Sequence, residues 1–124
     1  MPRTTVVFYR EPEAEAPVLE WLVKLRKKDR RAYASCVAAL ERLAASGHEL
    51  RRPLAALLRD GIYELRVRKG RVNYRILYFF HGPGFTILGH AITKEDIVPD
   101  IEIERCLRRK RAFESNPEDH SYSE

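Results

Sequence analysis

Between Tyr63 and Lys94, two turn signals divide an apolar-rich stretch into three strand-length pieces, and that punctuation leaves an antiparallel meander as the simplest fold. Lys69-Gly70 has the form of a two-residue hairpin loop, and His81-Gly82-Pro83-Gly84 of a four-residue one. Those loop lengths predict a register. Val67 lies opposite Val72, Leu65 opposite Tyr74 and Glu64 opposite Arg75. In the second hairpin Arg75 lies opposite His90 and Arg71 opposite Lys94. Side chains alternate along a strand, so Leu65, Val67, Val72, Tyr74, Ile76 and Tyr78 share one face. Arg66, Arg68, Arg71, Asn73, Arg75, His90 and Lys94 share the other, with Glu64 as the acid among them. So many cations on one face call for an anion from outside the chain. The lower half of that face, with Leu77, Phe79 and Leu88, is apolar and needs a cover. The last helix or a partner segment could supply it.

The flanking residues predict the rest of one domain. Thr4 to Tyr9 is short, β-branched and aromatic, a first strand. Pro17 suits the first turn of a helix whose apolar stripe is Val18, Trp21, Leu22 and Leu25. Asp29 can cap a second helix with the stripe Tyr33, Cys36, Val37, Leu40, Leu43 and Ala44, closed at Gly47. The two helices form a hairpin over the apolar sheet face. His48 opens a loop through Pro53, and Leu54 and Leu57 anchor a short turn before Asp60-Gly61. A last helix follows Val98-Pro99-Asp100, with its acids first and its bases, Arg105 to Arg111, last. That order matches the helix dipole and reads most simply as a solvated face. The predicted class is α+β with the order β-α-α-β-β-β-α: a domain over residues 1–113 and a flexible acidic tail over 114–124.

The net charge of +5 understates how basic the body is. The tail carries four acids (Glu114, Glu118, Asp119, Glu124) and no Lys or Arg, which leaves +9 on residues 1–113 against +5 for the whole chain. A basic body favours nucleic acid, an anionic surface or an acidic protein as partner. No apolar run is long enough to span a bilayer and no signal-peptide core is evident, so a cytoplasmic protein is expected. Cys36 and Cys106 sit on separate helical patterns and read as small buried residues, and four scattered histidines match no common zinc spacing. No metal and no cofactor is expected.

A cationic face of this kind suits RNA, whose phosphates take Arg and Lys and whose unpaired bases stack on aromatics. Arg71, Asn73, Lys69 and Tyr63 are candidate RNA contacts. RNA can also be cut when its own 2′-hydroxyl attacks the adjacent phosphorus, which needs a base, an acid and stabilisation of the phosphorane. Arginine stays charged, so Arg66, Arg68, Arg71 and Arg75 would clamp the anion, leaving the proton work to His90, Lys94 or a tyrosine. Plainer roles stand beside these. Glu64 and Arg75 can be a cross-strand ion pair, His90 a structural histidine, and Lys69 a solvated charge at a hairpin tip.

The run LRDGIYELRVRKGRVNYRILYFF, followed by ILGHAITKED and a basic last helix, resembles the RelE/ParE/HigB toxin superfamily, and within it the phage-derived HigB-like branch. The resemblance extends from the first strand to the last helix. It implies a RelE-like fold and the toxin of a type II toxin–antitoxin system, an endoribonuclease acting without metal on mRNA at the ribosome. It further implies a cognate helix-turn-helix antitoxin. The superfamily's basic sheet residues fall on Arg66, Arg68 and Arg75, and its basic residue after the last strand falls on Lys94. Where the branch often shows two consecutive lysines, this chain has Lys94-Glu95. Some superfamily members poison DNA gyrase instead. A non-catalytic gyrase inhibitor and a plain RNA-binding module are therefore the alternatives.

Overall fold

The computed structural model of the protein describes residues 3–12, 14–94 and 97–122, apart from the Lys94 side chain. Its elements run β1 (Thr5–Tyr9), α1 (Pro17–Lys28), α2 (Arg30–Ser46), β2 (Ala55–Arg59), β3 (Ile62–Lys69), β4 (Val72–His81), β5 (Phe85–Lys94), α3 (Asp100–Ser115) and β6 (Ser121–Tyr122). Local chemistry sets the helix ends as expected. Pro17 opens α1. The Asp29 carboxylate accepts from the Ala32 amide at 3.0 Å to cap α2, and Gly47 ends that helix at φ 51°.

The six strands form one sheet in the order β2-β3-β4-β5-β1-β6, with β1 parallel to β5. The class is α+β, but the expected β-α-α-β-β-β-α order gains two strands. Ala55–Arg59, expected as a turn, is an edge strand joined to β3 through a tight Asp60-Gly61 loop, both residues at positive φ. The acidic tail, expected to hang free, folds back: Tyr122 pairs with Phe8, and buried His120 stacks on Tyr9 at 5.2 Å.

The register differs from expectation by two residues in the first hairpin, and in the second by one residue next to the turn and two beyond a bulge, without changing which strand positions of β3 and β4 face which side. The first loop is Gly70-Arg71, so Lys69 pairs with Val72, Val67 with Tyr74 and Arg66 with Arg75. Gly70 takes the positive φ, 63°, that the turn requires. In the second hairpin Leu77 pairs with His90, but Tyr78 pairs with Leu88. Gly89 is the bulged residue. A Cβ there would lie 2.7 Å from Cys106 Sγ and 3.3 Å from Phe79, so the glycine is where α3 reaches the sheet. The bulge reverses the facing of the residues before it: Leu88 turns toward the helical hairpin, not toward the cationic side as expected, and Ile87 takes its place.

Two cores result. Leu65, Val67, Tyr74, Ile76, Tyr78 and Leu88 meet α1 and α2. Leu77, Phe79 and Ile87 meet Ile103, Cys106, Leu107 and Phe113 of α3, which is the cover that the lower half of the cationic face needed. At about 1.5–3 kcal/mol for each large apolar side chain taken out of water, both faces contribute substantially to stability. Both cysteines are free and buried, and burial pushes the Cys36 thiol up to about 11 and Cys106 to about 12. Among the described residues, no helix is long and apolar enough to cross a membrane.

Candidate nucleic-acid interface

The cationic face separates into a sealed part and an open part. In the sealed part Arg75, 8 % exposed, donates from Nη1 to Glu64 Oε1 at 3.0 Å. The other oxygen of the same carboxylate lies 3.6 Å from Arg66 Nε. A buried carboxylate between two guanidinium groups balances one of their two charges. The Nε of Arg75 finds no hydrogen-bond acceptor among the described residues.

His90 lies on the same side of the sheet as Arg75, but α3 covers it. Its Nε2 is 2.6 Å from Glu102 Oε1 and its Nδ1 is 3.1 Å from Arg109 Nη1. A guanidinium only donates, so Nδ1 must accept, and the ring proton sits on Nε2, where it meets the Glu102 carboxylate. Arg109 Nη1 also donates to the Gly89 carbonyl at 2.8 Å. The neutral ring is thereby locked between β5 and α3. Burial lowers the His90 pKa below the ordinary imidazole value, with the Glu102 hydrogen bond opposing and the Arg109 charge adding. In this arrangement both nitrogens of His90 are engaged within the protein, and neither faces a substrate with a free lone pair. Arg109 departs from expectation too. It is mostly buried, with its guanidinium 5.8 Å from the Tyr9 ring and 3.6 Å from Glu11, rather than part of a solvated helix face. Desolvation by burial, with Glu11 adding, pushes the Tyr9 hydroxyl up to about 12.

The open part lies along the edge of β3. A groove of about 440 Å³ is lined by Arg66, Arg68 and Asn73 from the hairpin, Arg42 from α2, and Arg51 and Arg52 from the loop before β2. A second groove of about 380 Å³ shares Arg51 and Arg52 and continues to His48 and Tyr63. No acidic side chain lines either groove. Together they make a cationic trench that turns around the sheet edge. Arg68 Nε donates to the Gly70 carbonyl at 3.2 Å, which ties it to the hairpin turn. Arg71 and Lys69 are exposed at the tip. Tyr63 is half-buried on the helical-hairpin side, stacked on Tyr78 at 5.4 Å. Lys94 ends β5 opposite Asn73, but its side chain lies outside the described residues.

Of the residues singled out from sequence, the trench brings together Arg66, Arg68, Asn73 and Tyr63; it leaves Arg75 and His90 under cover. Sequence reasoning missed Arg42, Arg51, Arg52 and His48 here, and Glu102 and Arg109 in the sealed part. A signal for the first group existed. Asp60-Gly61 between the apolar runs AALLR and IYELR is a hairpin pattern, and reading β2 from it would have carried the Arg51-Arg52 pair to the edge of β3. For Glu102 and Arg109 the signal was fainter: with Arg105 they fall at i, i+3 and i+7 on one helix face.

A family model described as phage-derived protein Gp49-like (DUF891) matches residues 20–111, from α1 into the last turns of α3. A search of curated proteins finds no match.

Proposed function

Since the chain belongs to the phage-derived Gp49-like family, which is related to the toxins of toxin–antitoxin systems, we propose that it is the toxin of a type II pair and an endoribonuclease that cleaves mRNA on the ribosome. The observation that carries the reading is the trench, five arginines and an asparagine lining one groove with no acid among them. Guanidinium groups suit a phosphodiester backbone, which they can grip in bidentate fashion. In the proposed reaction the 2′-oxygen attacks phosphorus, the bond to the 5′-oxygen breaks, and the products are a cyclic phosphate and a free 5′-hydroxyl. Arg66 and Arg68 stabilise the charge on the crowded phosphorus. Lys94 remains the candidate to move the proton, His90 being engaged elsewhere. The partner in this reading is a helix-turn-helix antitoxin.

Induced expression in a bacterium tests the proposal. Growth arrest with new 5′ ends by primer extension, dependent on ongoing translation, is expected. The double substitution Arg66→Ala with Arg68→Ala should restore growth at unchanged solubility. Normal growth with abundant folded wild-type protein overturns the reading. Inhibited DNA supercoiling with intact transcripts would also overturn it, in favour of a gyrase inhibitor.

A further inference from the structure

We propose that the His48 end of the trench is a base-stacking subsite, where one unpaired base of single-stranded RNA lies on the His48 imidazole while Arg51 and Arg52 hold its flanking phosphates. The inference rests on the RNA reading above and adds to it a place and a residue. The four histidines differ in what surrounds them. His90 and His120 are buried, His90 with both ring nitrogens in hydrogen bonds and His120 with its Nδ1. His81 is half-buried, edge-on to Phe113. His48 is exposed and lines a groove beside two arginines.

Its ring is already oriented. The imidazole stacks on Phe80 with centroids 3.7 Å apart and planes at 21°. Phe80 is held from behind by edge contacts to Tyr63 at 5.2 Å and Tyr78 at 5.6 Å. The backbone supports the same pose. Gly47 leaves α2 at positive φ, and a 3₁₀ turn over Gly47–Glu49 presents His48. Arg51 Nη1 then donates to the His48 carbonyl at 2.7 Å and the Leu50 carbonyl at 3.3 Å, which binds the cation to the turn that carries the ring. A flat ring held on an aromatic base, next to cations and free of acids, is the combination that single-stranded nucleic acid uses: stacking for the base and charge for the backbone. Because the ring is held in advance, little side-chain freedom remains to be lost on binding.

The test uses the full chain and a short unstructured RNA carrying fluorescein for anisotropy, and a second RNA carrying 2-aminopurine, whose emission falls when it stacks. His48→Ala should weaken binding on the order of tenfold with the salt slope unchanged. His48→Phe should restore binding to within about twofold, because stacking needs a ring and not a proton. Arg52→Ala should weaken binding and flatten the log–log salt slope by about 0.7. At one position along the RNA, 2-aminopurine should be quenched by the wild type and by His48→Phe, and not by His48→Ala. Wild-type affinity in His48→Ala, no rescue in His48→Phe, or no quenching at any position overturns the subsite. Should His48→Ala fail to fold, which a thermal melt reveals, the quenching by wild type and His48→Phe decides alone. If the wild type binds no RNA at all, the functional reading fails; if it binds regardless of residue 48, only the subsite does.

Discussion

Arg75 is buried and Arg109 mostly so, and both are answered from within the protein, whereas Arg51, Arg52 and Arg68 line an open groove with no acid in its wall. The two cation clusters arise on adjacent strands and on the helices beside them, and their fates diverge because of what is laid over them. In the sealed part each charge is drawn out of water, so it persists only with a partner: Glu64 for Arg75, and Glu11 with the Gly89 carbonyl for Arg109. At the edge of β3 water solvates the guanidinium groups, and no partner is needed to hold them. A charge left to solvent is available to a ligand, and a charge already paired inside is mainly a structural part. The difference teaches that a cluster of bases in sequence is a candidate site only after the internal acids have been assigned.

The largest effect expected from probing this contrast is on the sealed side. Glu64→Ala leaves the buried Arg75 charge without its carboxylate and should cost about 3–5 kcal/mol, read as a fall in Tm of the order of 10 °C or more, whereas Arg75→Ala, which leaves Arg66 3.6 Å from Glu64, should cost less. A change of only a degree or two in Tm for Glu64→Ala would show that the pair is not sealed, and the contrast between the two clusters would collapse. Loss of toxicity in Arg75→Ala is therefore informative only beside a melt showing the fold intact.

Next in size is the contact that lets α3 close. Gly89→Ala places a methyl 2.7 Å from Cys106 Sγ and should destabilise by about 1–3 kcal/mol in denaturant titration. Adding Cys106→Ala should recover part of that loss by vacating the space. An undisturbed Gly89→Ala would mean that α3 stands further from the sheet.

A smaller effect concerns pH. Because the folded chain holds His90 below its ordinary value, the unfolded chain binds a proton that the folded one refuses. The stability that neutral His90 contributes is complete above about pH 6.5 and is lost as the pH falls below it, toward the depressed folded value. Denaturant midpoints measured on either side of that pH should show the fall, and His90→Gln should flatten it. An equal slope in the variant would assign the pH dependence to other groups.

The smallest stability change belongs to the open cluster. Arg52→Ala and Arg68→Ala should shift stability by no more than about 0.5 kcal/mol while weakening RNA binding in a salt-dependent way. If either variant unfolded instead, its guanidinium would be part of the structure, and the trench would resemble the sealed side.

Much of the frame was legible because its determinants are local. Pro17, Asp29 and Gly47 mark helix ends by backbone chemistry that acts within a turn. The alternation of Leu65, Val67, Tyr74, Ile76 and Tyr78 identifies the face that the helical hairpin covers. The register was less legible. A hairpin loop displaced from Lys69-Gly70 to Gly70-Arg71 moves every partner by two, and a bulge at Gly89 answers to a helix far along the chain. Strands β2 and β6 escaped notice for related reasons: one is a short edge strand of alanine and leucine, and the other is two residues long and pairs with β1 across nearly the whole chain.

The sequence alone determined that cations and apolar groups would lie on opposite faces of a small sheet, because alternation along a strand is a property of the backbone and survives a shift of two. Only the tertiary structure decided which cations stay open. That outcome depends on which cations packing brings against internal acids such as Glu64 and Glu11, and on the loop before β2 swinging Arg51 and Arg52 to the sheet edge. Both are long-range arrangements set by packing, and no local pattern of residues encodes them.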